Sequence, residues 1–332
     1  MTSPVTRDWQ YRWFTRWLKL RRGGFTLIEL LVAIIIGSII VTVLLQLVLE
    51  LLQVERRETA IDNVQKDMRR ALDYIGADVQ EAVYVYSSPS TSQAVVSLAA
   101  VDGRVQQNDV VLAFWRVDPL DDEEFTTLGD CSGMGGQQEE CEVLKVRQAT
   151  YSLVIYQLET STDPTWDGKA RISRYRLPKY TSITSSSLNS TPGYSEPVAA
   201  ADPSIGFETW QVTGGNAGGN KDILVDYVDD PVPNASALTT LVSSGVLSCP
   251  TGMKRSPDST TQTTTTSFFV CVQDPTAAIG NLNQDVEIFL RGNIEPRDGG
   301  GLIRPLSESS ALPTLKTGVL VRGVIDKDLN AN

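Results

Sequence analysis

The sequence predicts an α+β fold: one long N-terminal helix, transmembrane and then amphipathic, packed on an antiparallel β-sheet C-terminal domain. Three observations predict it. Residues 30–49, LLVAIIIGSIIVTVLLQLVL, run for twenty positions without a charge. From Val54 to Ala82 apolar residues return at mostly three- and four-residue steps, with charged residues between them. Beyond Pro89 that period is lost, and short β-branched or aromatic runs alternate with Ser, Thr, Gly and Pro.

The first element, residues 1–24, is basic. Arg7, Arg12, Arg16, Lys19, Arg21 and Arg22 stand against Asp8, giving +6 − 1 = +5, so the other residues carry −11 − 5 = −16. With Trp9, Tyr11, Trp13, Phe14 and Trp17 interleaved, this leader suits the cytoplasmic face of a membrane. An acidic body with a basic front end is a poor partner for nucleic acid.

The apolar run comes next. Twenty residues at about 1.5 Å each span a hydrocarbon core of roughly 30 Å. An ordinary secretory signal has a shorter apolar region and is cut after it; here the small pair Gly23-Gly24 precedes the run. The positive flank keeps the N-terminus cytoplasmic and sends the body across. No proline occurs between Phe25 and Ser88, so the helix is expected over 25–88, with its transmembrane half at 27–50. Pro89 closes it, and any softening falls at Gly37-Ser38.

Residues 89–332 form the exported, β-rich domain. Strands are expected at 93–101, 109–117, 149–159, 169–177, 222–228, 267–273, 285–292 and 318–325, with loops at TSITSSSLNSTPG, TGGNAGGN and SPDSTTQTTTTS. Helix–strand alternation is missing, which points to an antiparallel sheet on the second half of the helix. Four cysteines allow three pairings. Nearest neighbours, Cys131–Cys141 and Cys249–Cys271, are the pairing expected in an oxidising compartment; the alternative is four buried thiols. A bridge across CSGMGGQQEEC restrains a loop with little order of its own.

Several chemistries are excluded or disfavoured. The chain contains no histidine, which removes His-based triads, His general bases and most zinc sites. There is no CxxC and no GxSxG, so the chain is not expected to be an enzyme, and no cofactor is expected. The acidic run Asp121-Asp122-Glu123-Glu124 reads as a solvated loop. Asp326, Asp328 and Asn330 imitate the opening of a calcium loop, but its Gly and bidentate Glu do not follow, so no metal site is assigned. Asp298-Gly299-Gly300-Gly301 reads as a turn. Phe114, Trp115 and Tyr156 read as core.

Arg21 to Glu29, RRGGFTLIE, followed by LLVAIIIG, resembles the class III signal of type IV pilins and pseudopilins: a basic leader, Gly before the cut, Phe after it, then T-L-I-E and an apolar helix. The resemblance implies that a prepilin peptidase cuts after Gly24, that Phe25 becomes an N-methylated N-terminus, and that Glu29 is the acidic residue of assembly. Physical chemistry adds to this. A lone carboxylate at the edge of an apolar helix costs several kcal/mol unless paired. The cut creates an α-amino cation four residues upstream, which a neighbour's Glu29 can meet.

Residues 67–83, DMRRALDYIGADVQEAV, are similar to the helix end of larger minor pilins and J-type minor pseudopilins. The large body, with LRGN at 290–293 and VRG at 321–323, is also similar to hormogonium polysaccharide secretion pseudopilins of cyanobacteria. Three features depart from many pilins: the long leader, the absence of a membrane-half proline, and the size of the body, which suits a minor subunit. The family implies a single-pass inner-membrane protein with a periplasmic or extracellular body, later part of a pilus or pseudopilus. Its partners would be prepilin peptidase, other pilins or pseudopilins, an inner-membrane assembly platform, a cytoplasmic ATPase and membrane lipid. A tip adhesin on a pilin anchor is the alternative, which a contiguous exposed aromatic patch would favour.

Overall fold

The computed structural model describes residues 24–160, 165–166, 168, 170–198, 206–229, 249–257, 267–274, 284–293 and 314–321. The basic leader up to residue 23, the 298–301 turn, Asp326 and Asp328 lie outside the described residues. Two compact units divide the chain, Met1–Arg57 and Glu58–Asn332.

In the first unit the described residues form a cap and a helix. The Thr26 carbonyl accepts from the amides of Glu29 at 3.0 Å and Leu30 at 3.2 Å, and its hydroxyl accepts from Glu29 N at 3.3 Å. A threonine before the first turn satisfies amides that have no intrahelical partner. Helix α1 then runs over Leu27–Gln80 and stays helical through Gly37 and Ser38. The Ser38 and Thr42 hydroxyls donate to the carbonyls of Ile35 and Ser38, each at 2.8 Å. These two hydroxyls in the apolar run are thus satisfied within the helix, as a hydrocarbon environment demands. None of this apolar stretch is buried, so Ile34, Ile39 and Leu45 all face outward.

The second unit is built on the amphipathic part of α1. Val64, Met68, Ala71, Leu72, Ile75 and Val79 are buried, a stripe at helical spacing. The five larger side chains contribute about 1.5–3 kcal/mol each by leaving water. Two antiparallel sheets supply the rest of that core. The first has the order β1 (Ala82–Val85), β2 (Val110–Pro119), β3 (Ala149–Glu159), β4 (Ala170–Leu177), β7 (Asn220–Val228). The second has the order β11 (Thr314–Leu320), β10 (Asp285–Arg291), β9 (Phe268–Gln273), β8 (Met253–Ser256). A separate hairpin pairs β5 (Tyr180–Ile183) with β6 (Leu188–Ser190).

Alternation along each strand sorts the side chains. Leu112, Phe114, Val154, Tyr156 and Ile172 of the first sheet join Val270, Val272, Val286, Ile288 and Leu290 of the second around the helix stripe. On the other face of the first sheet, Ala113, Trp115, Leu153, Ile155, Tyr175 and Leu177 pack with Trp210 and helix α2 (Gln93–Ala99). Trp115 and Trp210 meet edge to face at 5.2 Å. Gln284 ties the sheets together. Its side-chain amide accepts from Val85 N at 3.0 Å and donates to Val85 O at 2.9 Å, as a strand partner would. Two helices lie between β2 and β3: α3 (Asp122–Leu128) and α4 (Gln138–Arg147).

The structure corrects five local expectations, one being the loop expected at TSITSSSLNSTPG, where β5 and β6 form a hairpin. The long helix ends at Gln80, not near Ser88. Residues 82–85 are buried throughout and pair with β2, Ala82 opposite Arg116 and Val85 opposite Phe114; a vacant sheet edge outweighs a continuing helical period. Residues 93–99, expected as a strand, are helical. Ser92 caps them by accepting from Val95 N at 3.3 Å, and Ala94, Val95 and Leu98 form one buried face. The acidic run is not a loop: Asp121 and Glu124 form a reciprocal capping box that opens α3. The last described strand lies at 314–320, earlier than the 318–325 expected. The cysteine expectation holds, with Cys131 bonded to Cys141 and Cys249 to Cys271.

Candidate functional site

The site begins at the junction Gly24-Phe25. Gly24 and Phe25 precede α1, both exposed, and nothing lies within 4 Å of a Cβ built on Gly24. Among the described residues, no side chain packs against Gly24. Thr26 caps the helix, and Glu29 follows in its first turn. A carboxylate there complements the positive end of the helix dipole. The Glu29 side chain is exposed at the start of the apolar stretch. A new amine at Phe25 would stand just ahead of the Thr26 cap, with the Glu29 carboxylate in the turn after it, so both charges would flank the start of α1.

The other end of α1 carries a device that sequence reasoning missed. Asp78, in the last turn, is buried. Its carboxylate accepts from Arg174 Nε at 2.7 Å, Arg174 Nη2 at 3.1 Å and the Tyr156 hydroxyl at 2.7 Å, and it is paired with Arg116. Arg116 also pairs with Glu81 at 3.0 Å and Asp118 at 2.7 Å, and Arg176 pairs with Asp118 at 2.6 Å. Charges therefore alternate from β4 through the helix to β2. Burial by itself raises the Asp78 pKa. The hydrogen bonds and charge of Arg174, with Tyr156 and Arg116, outweigh that and hold the carboxyl below its usual 3.8. The same burial, with the Asp78 charge next, pushes the Tyr156 hydroxyl up. This cluster fixes how the helix meets the sheet. Its signal in the sequence is slight: an aspartate on the apolar stripe of a helix, and arginines at alternate positions in strands.

A second local feature is the insertion between β2 and β3. Cys131–Cys141 joins the turn after α3 to the body of α4, and Leu128, Met134, Leu144 and Leu188 surround the bridge. Cys249–Cys271 packs beside Phe269, Phe289 and Met253 on the second sheet. The aromatic residues read as core are buried: Phe114, Trp115 and Tyr156 each have no exposed surface. Among the described residues of the body, the exposed large aromatics are Tyr74 on α1, Phe125 on α3 and Trp166 between β3 and β4.

A capped, unburied apolar helix carrying a first-turn glutamate and continuing into an antiparallel α+β body is consistent with a pilin-like fold on a membrane anchor. Residues 19–45 match the family model described as the prokaryotic N-terminal methylation motif. The match supports a type IV pilin-like protein processed by prepilin peptidase, with a single-pass anchor. No curated protein and no solved structure matches the chain.

Proposed function

We propose that this chain is a minor pilin or pseudopilin, a structural subunit cut after Gly24 and assembled through α1 into a type IV pilus or a secretion pseudopilus. The observation that carries the reading is the junction itself: exposed Gly24 and Phe25, a Thr26 cap and a first-turn Glu29, all directly before an unburied apolar helix. The leader stays cytoplasmic and the disulfide-bearing body is exported. Prepilin peptidase, other pilins, an inner-membrane platform and a cytoplasmic ATPase are its partners. Its role is to support secretion, with polysaccharide as the cargo suggested by the resemblance of its body.

In this mechanism the peptidase exposes the Phe25 amine, which is then methylated. A subunit alone in the bilayer leaves the Phe25 cation and the Glu29 anion poorly compensated. Beside a neighbour, the amine of one subunit meets the carboxylate of the other, so the unpaired state is penalised and addition is ordered. Mass spectrometry of the membrane-extracted protein should find Phe25 as the N-terminus; an intact Met1 in cells with active peptidase refutes the cut. Glu29→Gln should leave processing, insertion and folding intact and remove the chain from sheared filaments. An unpaired charge in a low-dielectric bundle costs about 3–5 kcal/mol, two to three orders of magnitude in an assembly constant. If Glu29→Gln assembles and supports secretion like the parent, the pairing role is wrong.

A further inference from the structure

The helix α4 has a face that the reading above leaves unused. Glu139, Val143 and Arg147 lie at i, i+4 and i+8, one row along the helix, and all three are exposed. Val146 stands beside this row at 85% exposure, and Val143 is itself 44% exposed. The ion pairs nearby use other groups: Lys179 is held by Glu140 at 3.1 Å and by Glu196 at 3.1 Å. Glu139 and Arg147 take no part in them. Lys145, the other base of the last turn, donates to the Gly129 carbonyl. A cleft of about 700 Å³ opens along the same helix face, with Val117, Leu144, Ala149 and Tyr151 among its lining residues.

The row reads acid, aliphatic, base. Turned end for end it reads base, aliphatic, acid, which is its own complement. When two copies of α4 lie antiparallel, Glu139 of each faces Arg147 of the other. Position 143 is the midpoint of 139 and 147, so the two Val143 side chains meet on the two-fold axis. The two Val146 side chains flank them, and each helix covers the cleft mouth of the other. A contact in which one patch pairs with itself is the isologous arrangement of a two-fold dimer. The backbone under it is prepared: Cys131–Cys141 holds α4 from its buried side, with Leu144 packed next to the bridge.

We propose that the exposed face of α4 is a self-complementary docking surface for a second copy of this chain, joined antiparallel through Glu139–Arg147 pairs around Val143. This goes beyond the assembly reading, which uses α1. A two-fold contact closes on itself, so it links bodies in pairs and does not extend a filament. Two exposed ion pairs and a small apolar centre make a weak contact, which becomes effective where bodies are already held close.

The test uses the full chain in isolated membranes, where the bodies are held close. All four native cysteines are in disulfides, so Val143→Cys adds the one thiol that can cross-link. Mild oxidation should give a covalent dimer on a non-reducing gel. Adding Glu139→Arg, or adding Arg147→Glu, opposes like charges twice across the axis. Each should lower the dimer yield about tenfold, from surface-pair energies on this scale. Mixing those two variants should restore cross-linking between them, because every facing pair is again opposite in charge. The variant carrying both reversals should restore it too. Recovery on mixing shows that the single variants are folded.

No dimer from Val143→Cys overturns the proposal, and so does a dimer whose yield ignores the charge reversals. A cross-link lost on reversal but not regained on mixing overturns the antiparallel pairing. The Glu29→Gln variant separates this proposal from the α1 reading: the α4 cross-link should survive it, while filament incorporation should not.

Discussion

Replacing Asp78 by alanine tests whether the ionic cluster at the end of α1 holds the helix to the first sheet. The carboxylate has four bonding partners: two nitrogens of Arg174, the Tyr156 hydroxyl and Arg116. Removing it affects them unequally. Arg116 retains Glu81 at 3.0 Å and Asp118 at 2.7 Å. Arg174, with only 14% of its side chain exposed, loses its ion-pair partner and keeps the Tyr74 ring at 5.8 Å. Tyr156, with no exposed surface, loses the acceptor of its hydroxyl. One buried arginine left uncompensated costs about 3–5 kcal/mol, and an unsatisfied buried hydroxyl adds about 1–3 kcal/mol. Relaxation and water entry reduce the sum, so a loss of about 3–5 kcal/mol is expected.

Denaturant unfolding of the detergent-solubilised chain, followed by near-ultraviolet dichroism of the Trp115–Trp210 core, reads this loss. The dependence on pH has a definite sign. Asp78 has a folded pKa below 3.8, so its contribution is fully present above the unfolded value and is lost as pH falls through the folded one. The gap between parent and variant should therefore be constant near neutrality and shrink below about pH 4. A variant within 1 kcal/mol of the parent at pH 7 would refute the argument, and a gap that widens on acidification would do the same. Asp78→Ala with Arg174→Leu should recover part of the loss, because the stranded charge is gone.

Three further outcomes are expected. Cys131→Ser with Cys141→Ser should lower stability by about 2–3 kcal/mol, and Cys249→Ser with Cys271→Ser slightly more, since the bridges span 10 and 22 residues; denaturant titration of alkylated and intact protein checks the order. Gln284→Ala should cost about 1–3 kcal/mol by stranding the Val85 amide and carbonyl, and hydrogen exchange should localise the effect to β1 and β2. Asp121→Ala should cost about 1 kcal/mol, seen as faster exchange confined to α3 and its capping box.

Several features were legible from sequence because their causes are local. Twenty uncharged residues can only be accommodated in lipid or a core, and Leu27–Gln80 carries them unburied. The stripe from Val64 to Val79 is buried as its spacing requires. Cysteines ten and twenty-two apart pair as short loops favour. The strand runs at 109–117, 149–159 and 169–177 became β2, β3 and β4, because branched and aromatic residues at period two suit a buried pleat.

Tertiary structure decided the rest. Val95-Val96 reads as strand, yet it is helical because Ser92 caps it and the outer face of the first sheet offers a groove for Ala94, Val95 and Leu98. The helix period continues past Gln80, yet β1 forms because the edge of β2 needs a partner. Asp78 looks like a polar interruption of an apolar stripe until Arg174, ninety-six residues away, supplies its counter-charge. The second sheet around α1 has the same logic: no local signal divides the strand runs between two sheets. Local period and bilayer thickness act within one segment and can be read from it. Pairing of edges and of buried charges depends on which distant segment arrives opposite, and only the folded chain settles that.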